Sequence, residues 1–206
     1  MRTLEVGSRA LLVEFDSPTE AQALHAELLR RRADGELPAV REIVPAARTV
    51  LLDGLDDPRG LAARMRSWRI PPLSTRAGDA IEIPVRYDGP DLAEVAQLWG
   101  VPVGQVPRIH SEAEFRVAFC GFAPGFGYLT GLAERYAVPR RATPRTSVPA
   151  GSVALAGSYT GVYPRSSPGG WQLIGTTQAA LWDHARVPAA LLSPGSRVRF
   201  VPVEGR

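Results

Sequence analysis

The chain has 206 residues with 45% hydrophobic side chains, enough material for one large domain or two small ones. All 24 basic residues are arginine, and neither lysine nor asparagine occurs. A chain without lysine has no phosphate-binding P-loop lysine and no Schiff-base nucleophile, which excludes a Walker-type ATPase that works by itself. The single cysteine, Cys120, cannot form an internal disulfide, and no apolar run reaches the roughly 20 residues of a membrane span. We therefore expect a cytoplasmic protein without a membrane anchor or leader.

The charge is distributed unevenly along the chain. Residues 1–118 carry 15 arginines and 18 acidic residues, whereas residues 119–206 carry 9 arginines and 3 acidic residues. A nucleic-acid-binding protein would cluster its basic residues along one helix or sheet, and this sequence contains no such tract. We therefore expect no nucleic-acid partner.

The first 75 residues predict a small α/β domain. Ser17, Pro18 and Glu20 are typical of a capping box with proline at the first helical position. In chain order we expect two strands within Leu4–Phe15, a helix from Pro18 to Gly35, strands at Val40–Val44 and Thr49–Leu52, and a helix from Pro58 that carries Leu61, Met65 and Trp68 on one face. The break at residues 71–75, rich in proline, predicts a boundary between domains 1–75 and 79–206.

The remainder predicts a closed, mostly antiparallel β-barrel with one or two small helices. Asp91 and Glu94 form a predicted capping pair for a helix that ends at Gly100. The predicted strands are Ile81–Tyr87, the face of Phe115, Val117 and Phe119, and the short runs Ser152–Ala156, Gly161–Tyr163, Trp171–Ile174 and Arg197–Val201. Together the two parts predict an α+β fold.

One stretch combines tight turns with positive charge. Ten of the 20 glycines lie between Gly121 and Gly175, interleaved with prolines and aromatic residues, which predicts rigid turns and not a flexible linker. The same stretch has five arginines and one acid, Glu134. Guanidinium groups beside such turns suit the binding of carboxylate, carbamate or phosphate. The alternative is an arginine-coated surface that faces solvent.

Specific strings in this stretch carry a family resemblance. They read GFAPGFGYL at 121–129, PRR at 139–141, PR at 144–145, VPAGSV at 148–153, GVYP at 161–164 and SPGGW at 167–171, with ALLVEF at 10–15, YDGPDL at 87–92 and VRF at 198–200 outside it. Over nearly its whole length the chain resembles the KipI / allophanate hydrolase subunit 1 family. Cys120 is not part of that pattern.

The resemblance implies a small α/β N-terminal domain followed by a cyclophilin-like antiparallel β-barrel. It also implies a partner of the KipA / allophanate hydrolase subunit 2 type and, in 5-oxoprolinase, a third subunit of the LamB/YcsF type. That complex opens the lactam of 5-oxo-L-proline to L-glutamate at the cost of ATP. The equivalent pair in urea carboxylase moves carboxylate from biotin to urea, and one family member inhibits a sensor histidine kinase.

The first candidate site residue is Arg145, which we expect to hold a substrate carboxylate or phosphate by a two-pronged contact. The alternative is a structural ion pair with an acid of the other domain. Arg140 and Arg141 are adjacent and point apart, so at most one of them lies in the site, and Arg141 is the predicted one. Gly169 and Gly170 could present backbone N–H groups to an oxyanion, or form only a tight turn.

The remaining candidates are aromatic or turn residues and a histidine. His110 is a conceivable general base, although a structural histidine fits better. His25 and His184 have no acid or cysteine at ligand spacing, so no metal is expected. The loop 122–128 is either a wall of the ligand cleft or a docking surface for a partner. The predicted substrate-binding set is Phe122, Pro124, Gly125, Arg141, Gly151, Tyr163, Gly169, Gly170 and Trp171.

Two classes of function therefore remain open. The first is an enzyme subunit, with a 5-oxoprolinase or a carboxyltransferase subunit as the two forms of it, and the second is a kinase-inhibiting binding protein. The arginine-lined, glycine-rich barrel face favours the enzyme subunit, because a surface that only binds protein would not need it. Since no lysine and no complete nucleophile constellation is present, we expect the isolated chain to be inactive.

Overall fold

The computed structural model describes residues 1–73 and 79–204 and divides into two compact units, Met1–Ala77 and Gly78–Arg206. The predicted linker spans residues 71–75, and its last two residues belong to the range 74–78, which lies outside the described residues. Independent folding of the two units therefore stays a prediction.

The first unit is a four-stranded antiparallel sheet with two helices. Its strand order is β1-β2-β4-β3, and both helices pack against this sheet. The elements are β1 Arg2–Val6, β2 Ala10–Glu14, α1 Pro18–Ala33, β3 Glu42–Pro45, β4 Thr49–Asp53 and α2 Pro58–Met65. The predicted order of two strands, helix, two strands and helix is confirmed.

Local sequence explains where these helices begin. The Ser17 hydroxyl accepts a hydrogen bond from the Thr19 N–H at 3.2 Å, and Asp57 accepts one from the Gly60 N–H at 2.8 Å. Leu24 and Leu28 of α1 are fully buried against the sheet. Trp68 lies beyond the end of α2, not on it as predicted, and packs its partly buried ring on the same core beneath the Arg31 guanidinium.

The second unit is built around a seven-stranded sheet in the order β12-β9-β10-β7-β6-β13-β5, and a two-stranded ribbon, β8-β11, stands apart from it. Its elements are β5 Ile81–Val85, α3 Leu92–Trp99, α4 Gln105–Glu112, β6 Phe115–Cys120, β7 Gly127–Thr130, a 3-10 turn Glu134–Tyr136, β8 Arg145–Val148, β9 Ser152–Ala156, β10 Tyr159–Val162, β11 Ser167–Gly169, β12 Gln172–Thr176 and β13 Arg197–Pro202.

The sheet closes almost completely into a barrel. Its strand pairs are antiparallel except for β13 and β5, which run parallel. At the open edge Arg86 and Thr176 exchange two backbone hydrogen bonds of 2.9 and 2.8 Å, so the chain just beyond β5 returns to β12. The predicted α+β fold, a small α/β unit followed by a mostly antiparallel barrel, is confirmed.

Some elements of this unit were not predicted. Helix α4 contains Pro107, and a proline within a segment argues against a helix when only the sequence is known. This proline lies in the first turn, where its missing N–H needs no intrahelical partner. Strands β7, β8 and β11 are three or four residues long and depend on distant partners, so their own sequence carries little signal.

The predicted capping pair of α3 is wrong. Asp91 makes no side-chain cap hydrogen bond, and its carboxylate instead accepts bonds from residues far along the chain. The helix does end as predicted, with Gly100 in the left-handed conformation at φ 66°.

The barrel sheet has an apolar cluster on each face, and this arrangement positions the candidate site. Val153 and Leu155 of β9 point into the main core, whereas Ala154 and Ala156 point to a second cluster with Phe126. That second cluster also contains Val148, Tyr163, Trp171 and Leu173. None of the described helices is long and apolar enough to cross a membrane.

Candidate functional site

A small cleft lies beside the second apolar cluster. It has a volume of roughly 120 Å³ and is bordered by one cation, five aromatic rings and a proline-glycine edge. We call it the aromatic cleft, and its residues are Phe122, Phe126, Tyr128, Arg140, Tyr163, Pro168, Gly169, Gly170 and Trp171. Typical pockets for drug-sized ligands measure about 300–1,000 Å³, so this cleft suits a much smaller molecule.

A strained turn presents Phe122 at the cleft. Its φ is 67°, and it is the centre of a three-residue turn in which the Ala123 N–H donates to the Gly121 oxygen at 2.7 Å. A non-glycine residue with positive φ costs free energy, and turns of this hand are rare. Phe122 is 58% exposed as a residue, and its ring meets Phe126 and Tyr163 edge-on at 5.3 and 6.1 Å. The turn thus holds a large ring at the surface instead of burying it.

Buried rings form the floor of the cleft. Phe126 meets Tyr163 and Trp171 edge-on, each at 5.5 Å between ring centroids. Gly161 lies beneath them, and a Cβ at this position would come within 2.8 Å of Phe126 and 2.9 Å of Trp171. Glycine is therefore required here for the rings to pack directly onto the strand.

The glycine edge of the cleft contacts a phenol. A Cβ on Gly169 would lie 2.3 Å from the Tyr163 hydroxyl, so only glycine allows this approach. Burial raises the pKa of Tyr163, and the Arg140 charge and the Trp171 backbone oppose that shift in part. Tyr163 consequently stays a protonated hydrogen-bond donor at neutral pH.

The cation of the cleft is Arg140, not the predicted Arg141. The Arg140 side chain is exposed, and within the described residues no carboxylate lies within ion-pair distance of it. Arg165, on the loop between Tyr163 and Pro168, is likewise exposed and unpaired among those residues. The expectation that at most one of Arg140 and Arg141 borders the cleft agrees with this geometry.

Arg141 and Arg145 bind a buried carboxylate instead. Asp91 Oδ1 accepts from Arg141 Nη1 at 2.9 Å and from Arg145 Nη2 at 2.7 Å, and Oδ2 accepts from the Leu173 N–H at 2.6 Å. Glu94 accepts from Gln172 at 2.9 Å and lies 3.5 Å from Arg141 Nη1. We call these five side chains, Asp91, Glu94, Arg141, Arg145 and Gln172, the Asp91 cluster.

The Asp91 cluster connects the segments that border the cleft. The Arg141 N–H donates to the Gly170 oxygen at 2.8 Å, and Arg145 of β8 pairs with Gly169 of β11. The Asp91 carboxylate also accepts from the N–H of Leu173 on β12, two residues after Trp171. The ion pair predicted as the alternative role of Arg145 is therefore present, but its acid lies in the same unit and not in the other one. A buried charge pair of this kind is costly to break from one side.

Two guanidinium atoms of the cluster are buried without a partner among the described residues, Arg141 Nε and Arg145 Nη1. An unsatisfied buried donor costs about 1–3 kcal/mol, more when it is charged. Neither arginine can turn away to solvent without releasing Asp91. The donor capacity of both atoms is therefore unused in the described part of the chain.

His110 lies in the barrel core and away from the cleft. It is fully buried, with Nδ1 at 2.8 Å from the Tyr87 hydroxyl and Nε2 at 3.3 Å from the Thr160 hydroxyl. Phe115 and Phe200 pack against the ring. Burial lowers the pKa of His110 to about 3, so the ring is neutral across the physiological range. This placement gives a structural role and no path to a substrate.

The other predicted residues support turns around the cleft. Gly125 and Gly151 have φ of 85° and 78°, and a Cβ on Gly151 would lie 2.2 Å from the Thr177 oxygen. Pro124 lies beside Gly125 and is exposed. The predicted substrate-binding set omitted Phe126, Tyr128, Arg140 and Pro168, although the first two belong to the loop 122–128 that was predicted as a possible wall of the cleft. The spacing of Phe126 and Tyr128, two residues apart around Gly127, is the signal that places both on one face of a strand.

Nucleophilic and metal chemistry find little support in the described residues. The Ser147 and Ser166 hydroxyls bond to each other at 2.9 Å, and no histidine hydrogen bond to either is present. Burial raises the pKa of the Cys120 thiol to about 11, which keeps it protonated. Across residues 1–73 and 79–204, no three His, Cys, Asp or Glu side chains come together as metal ligands.

Comparison with known proteins relates this chain to a carboxyltransferase domain family and to 5-oxoprolinase B subunits. A family model described as the carboxyltransferase domain, subdomain C and D, matches residues 1–192. The 5-oxoprolinase B subunit of Escherichia coli O157:H7 is 42% identical over 207 residues, which cover 96% of this chain and 94% of the relative. The 5-oxoprolinase B subunit of Haemophilus influenzae is 46% identical over 161 residues, 76% of this chain and 75% of the relative.

Solved structures share the fold. The crystal structure of TTHA0988 superposes with a TM-score of 0.79 at 37% identity, covering 96% of this chain and 41% of that one, so this chain spans less than half of that protein. The urea amidolyase of Kluyveromyces lactis superposes with a TM-score of 0.73 at 20% identity, over 98% of this chain and 15% of that one. The latter likeness concerns the fold alone.

Proposed function

This chain belongs to the carboxyltransferase domain family, subdomain C and D, together with 5-oxoprolinase B subunits, and we propose that it is the B subunit of an ATP-dependent 5-oxoprolinase. The reaction hydrolyses the cyclic amide of 5-oxo-L-proline to L-glutamate. The observation that carries the proposal is the 42% identity to a curated relative of that kind across 94% of its length.

The chemistry of the aromatic cleft supports a small anionic substrate. 5-Oxoproline is a five-membered lactam with one carboxylate, and a cleft of roughly 120 Å³ suits a molecule of that scale. The unpaired guanidinium of Arg140 offers a two-pronged contact to the carboxylate. The Phe122 and Trp171 rings offer apolar contact to the lactam ring.

A hydrogen-bond donor completes this arrangement. As the lactam opens, negative charge develops on its carbonyl oxygen, and a fixed donor aimed at that oxygen lowers the barrier. The protonated Tyr163 hydroxyl is one such donor, held against the Gly169–Gly170 edge. The role of this chain is thus to orient the substrate and to stabilise the oxyanion.

The aromatic cleft does not fit ATP. A nucleoside triphosphate needs several donors for its phosphates and a volume in the usual ligand range of about 300 Å³ or more. The cleft offers one guanidinium and less than half of that volume. We therefore assign ATP to another polypeptide of the complex.

The isolated chain is proposed to be inactive. Among the described residues Cys120 is protonated, His110 is buried, and Ser147 and Ser166 bond to each other, so no activated nucleophile borders the cleft. Partners of the KipA / allophanate hydrolase subunit 2 type and of the LamB/YcsF type would supply the remaining groups.

The second candidate is a carboxyltransferase component of the urea carboxylase type, with biotin as the carboxylate carrier. The description of the matching family model favours it. The cleft would then hold a carboxylated amide, and the same Arg140 would bind its carboxylate. A kinase inhibitor of the KipI type has no specific support in the geometry.

The test is reconstitution. The chain is combined with its partners of the KipA / allophanate hydrolase subunit 2 type and of the LamB/YcsF type, and glutamate release from 5-oxo-L-proline is followed with and without ATP. We expect ATP-dependent turnover by the complex and none by the chain alone. Carboxylation of urea with carboxybiotin, without lactam hydrolysis, would instead establish the carboxyltransferase.

A further inference from the structure

A second cavity borders strand β8 of the β8-β11 ribbon, whereas the aromatic cleft borders strand β11. It measures roughly 240 Å³ and shares no residue with that cleft. The loop 88–90, the strand β8 and the strand β12 enclose it, and its polar side chains are Asp88, Arg145, Ser147, Ser152 and Thr176. We call it the Arg145 pocket.

Arg145 is held in one orientation at this pocket with donor capacity to spare. Its Nη2 donates to Asp91 Oδ1 at 2.7 Å, while its Nη1 is buried and has no partner among the described residues. Asp91 cannot serve both nitrogens, because Oδ1 also accepts from Arg141 and Oδ2 accepts from the Leu173 N–H. The guanidinium is therefore fixed in place, and the described residues supply no acceptor for its nitrogens other than Asp91.

Asp91, which does not line the pocket, pairs with Arg145, and the polar groups that do line the pocket add no further acceptor to this guanidinium. Asp88 is the one acid among the residues that line it, and its carboxylate is already engaged by Arg86 and by the Thr176 hydroxyl. The Ser152 hydroxyl donates its proton to the Pro149 oxygen at 2.8 Å and carries no charge. Ser147 shares its hydroxyl only with Ser166 and can rotate to donate into the pocket.

We propose that the Arg145 pocket binds a small oxyanion, a carboxylate or a phosphate, with one oxygen accepting from the accessible part of the Arg145 guanidinium and another from the Ser147 hydroxyl. Planar guanidinium groups fixed by a second contact are the usual means of recognising both anions. The volume limits the ligand to an inorganic ion or a metabolite of a few carbon atoms. The site is separate from the aromatic cleft and does not rest on the 5-oxoprolinase assignment.

Binding there would act on the aromatic cleft. Arg145 pairs directly with Gly169 across the β8-β11 ribbon, and Gly169 contacts Tyr163 in the cleft. An anion on Arg145 therefore stabilises the strand that forms the glycine edge of the cleft. The effect expected on reconstituted enzyme is a change in KM for the substrate without loss of maximal turnover.

The experiment measures binding to the purified full chain at pH 7.5 and constant ionic strength, with chloride as the reference salt. Sodium phosphate and sodium acetate are titrated separately, and backbone amide NMR shifts together with the melting temperature give the Kd of each. We expect Arg145→Gln to raise the Kd of the anion at least tenfold. The matched control Arg140→Gln should change this Kd less than twofold. Phosphate binding alone would identify a phosphate site, and acetate binding alone a carboxylate site.

Because Arg145→Gln also breaks the Asp91 pair and could prevent folding, Ser147→Leu is the second variant. It fills the pocket from the exposed Ser147 position on β8 and leaves the Asp91 cluster intact. Loss of anion binding in Ser147→Leu with an unchanged melting temperature supports the proposal. Absence of binding for both anions in the wild type, or binding that only Arg140→Gln removes, overturns it whatever the activity assay shows.

Discussion

The Asp91 cluster and the aromatic cleft use arginine in opposite ways. Arg141 and Arg145 are partly buried and held by one carboxylate, whereas Arg140, adjacent in sequence, is exposed and has no acid partner among the described residues. In the cluster, charge fixes the backbone of the cleft wall, and in the cleft it stays available for a ligand. The difference shows that local charge density does not identify which arginine binds, because tertiary pairing decides how each charge is used.

The largest expected effect comes from removing the shared acid of the Asp91 cluster. Asp91→Ala leaves two partly buried guanidinium groups and the Leu173 N–H without their acceptor, so we expect a loss of about 3–5 kcal/mol in the free energy of unfolding. Chemical denaturation monitored by fluorescence measures it. Asp88→Ala is the matched control, since its carboxylate pairs are more exposed. Equal stability losses in both variants would contradict the special role of Asp91.

Arg140→Ala tests the other side of the comparison. We expect kcat/KM for 5-oxoproline in the reconstituted complex to fall roughly 30-fold, since a guanidinium–carboxylate contact is lost, with the melting temperature unchanged. Arg140→Lys should recover little, because a point charge does not reproduce the planar fork. If Arg145→Ala lowered activity without lowering the melting temperature, while Arg140→Ala had wild-type activity, the assignment of the two arginines would have to be exchanged.

His110 extends the comparison to a buried polar group that stays uncharged. Its folded pKa of about 3 lies below the unfolded value of 6.5, so below pH 6.5 the unfolded chain binds a proton that the folded chain does not. The contribution of His110 to the free energy of unfolding is therefore complete above pH 6.5. It falls as the pH drops toward 3, by up to about 1.4 kcal/mol per pH unit.

The measurement is the free energy of unfolding against pH for the wild type and His110→Gln. The variant should show a shallower slope between pH 6.5 and 4 than the wild type. Burial also lowers the pKa of His25 in the first unit, so part of the slope persists in the variant. Identical slopes in the two proteins would show that His110 is charged in the fold.

The smallest effect is expected at Arg165, the other exposed arginine near the cleft. Since its side chain is not a cleft-lining residue and has no ion pair among the described residues, Arg165→Ala should shift the melting temperature by less than about 2 °C. Activity should stay close to that of the wild type. A drop comparable to that of Arg140→Ala would place Arg165 in the substrate site as well.

Much of the fold was predictable from local sequence. The capping residues Ser17 and Asp57 and the terminating Gly100 act within a few residues of themselves, so their effects are local. Helix α4 and strands β8 and β11 were missed, because the first contains Pro107 and the other two exist chiefly through pairing with each other. The predicted candidate set included five of the nine residues that line the aromatic cleft.

The sequence by itself determined the family, the order of the main elements and the stretch that forms the cleft, because periodicity, turn residues and long motifs are properties of neighbouring positions. Only the tertiary structure decided that the Asp91 side chain binds Arg141 and Arg145 instead of capping its helix. It also decided that Arg140 is the cation of the cleft and that His110 is buried. Asp91 and Arg145 are 54 residues apart. Their pairing depends on the closure of the barrel and on the cost of a buried unpaired charge, which no local pattern encodes.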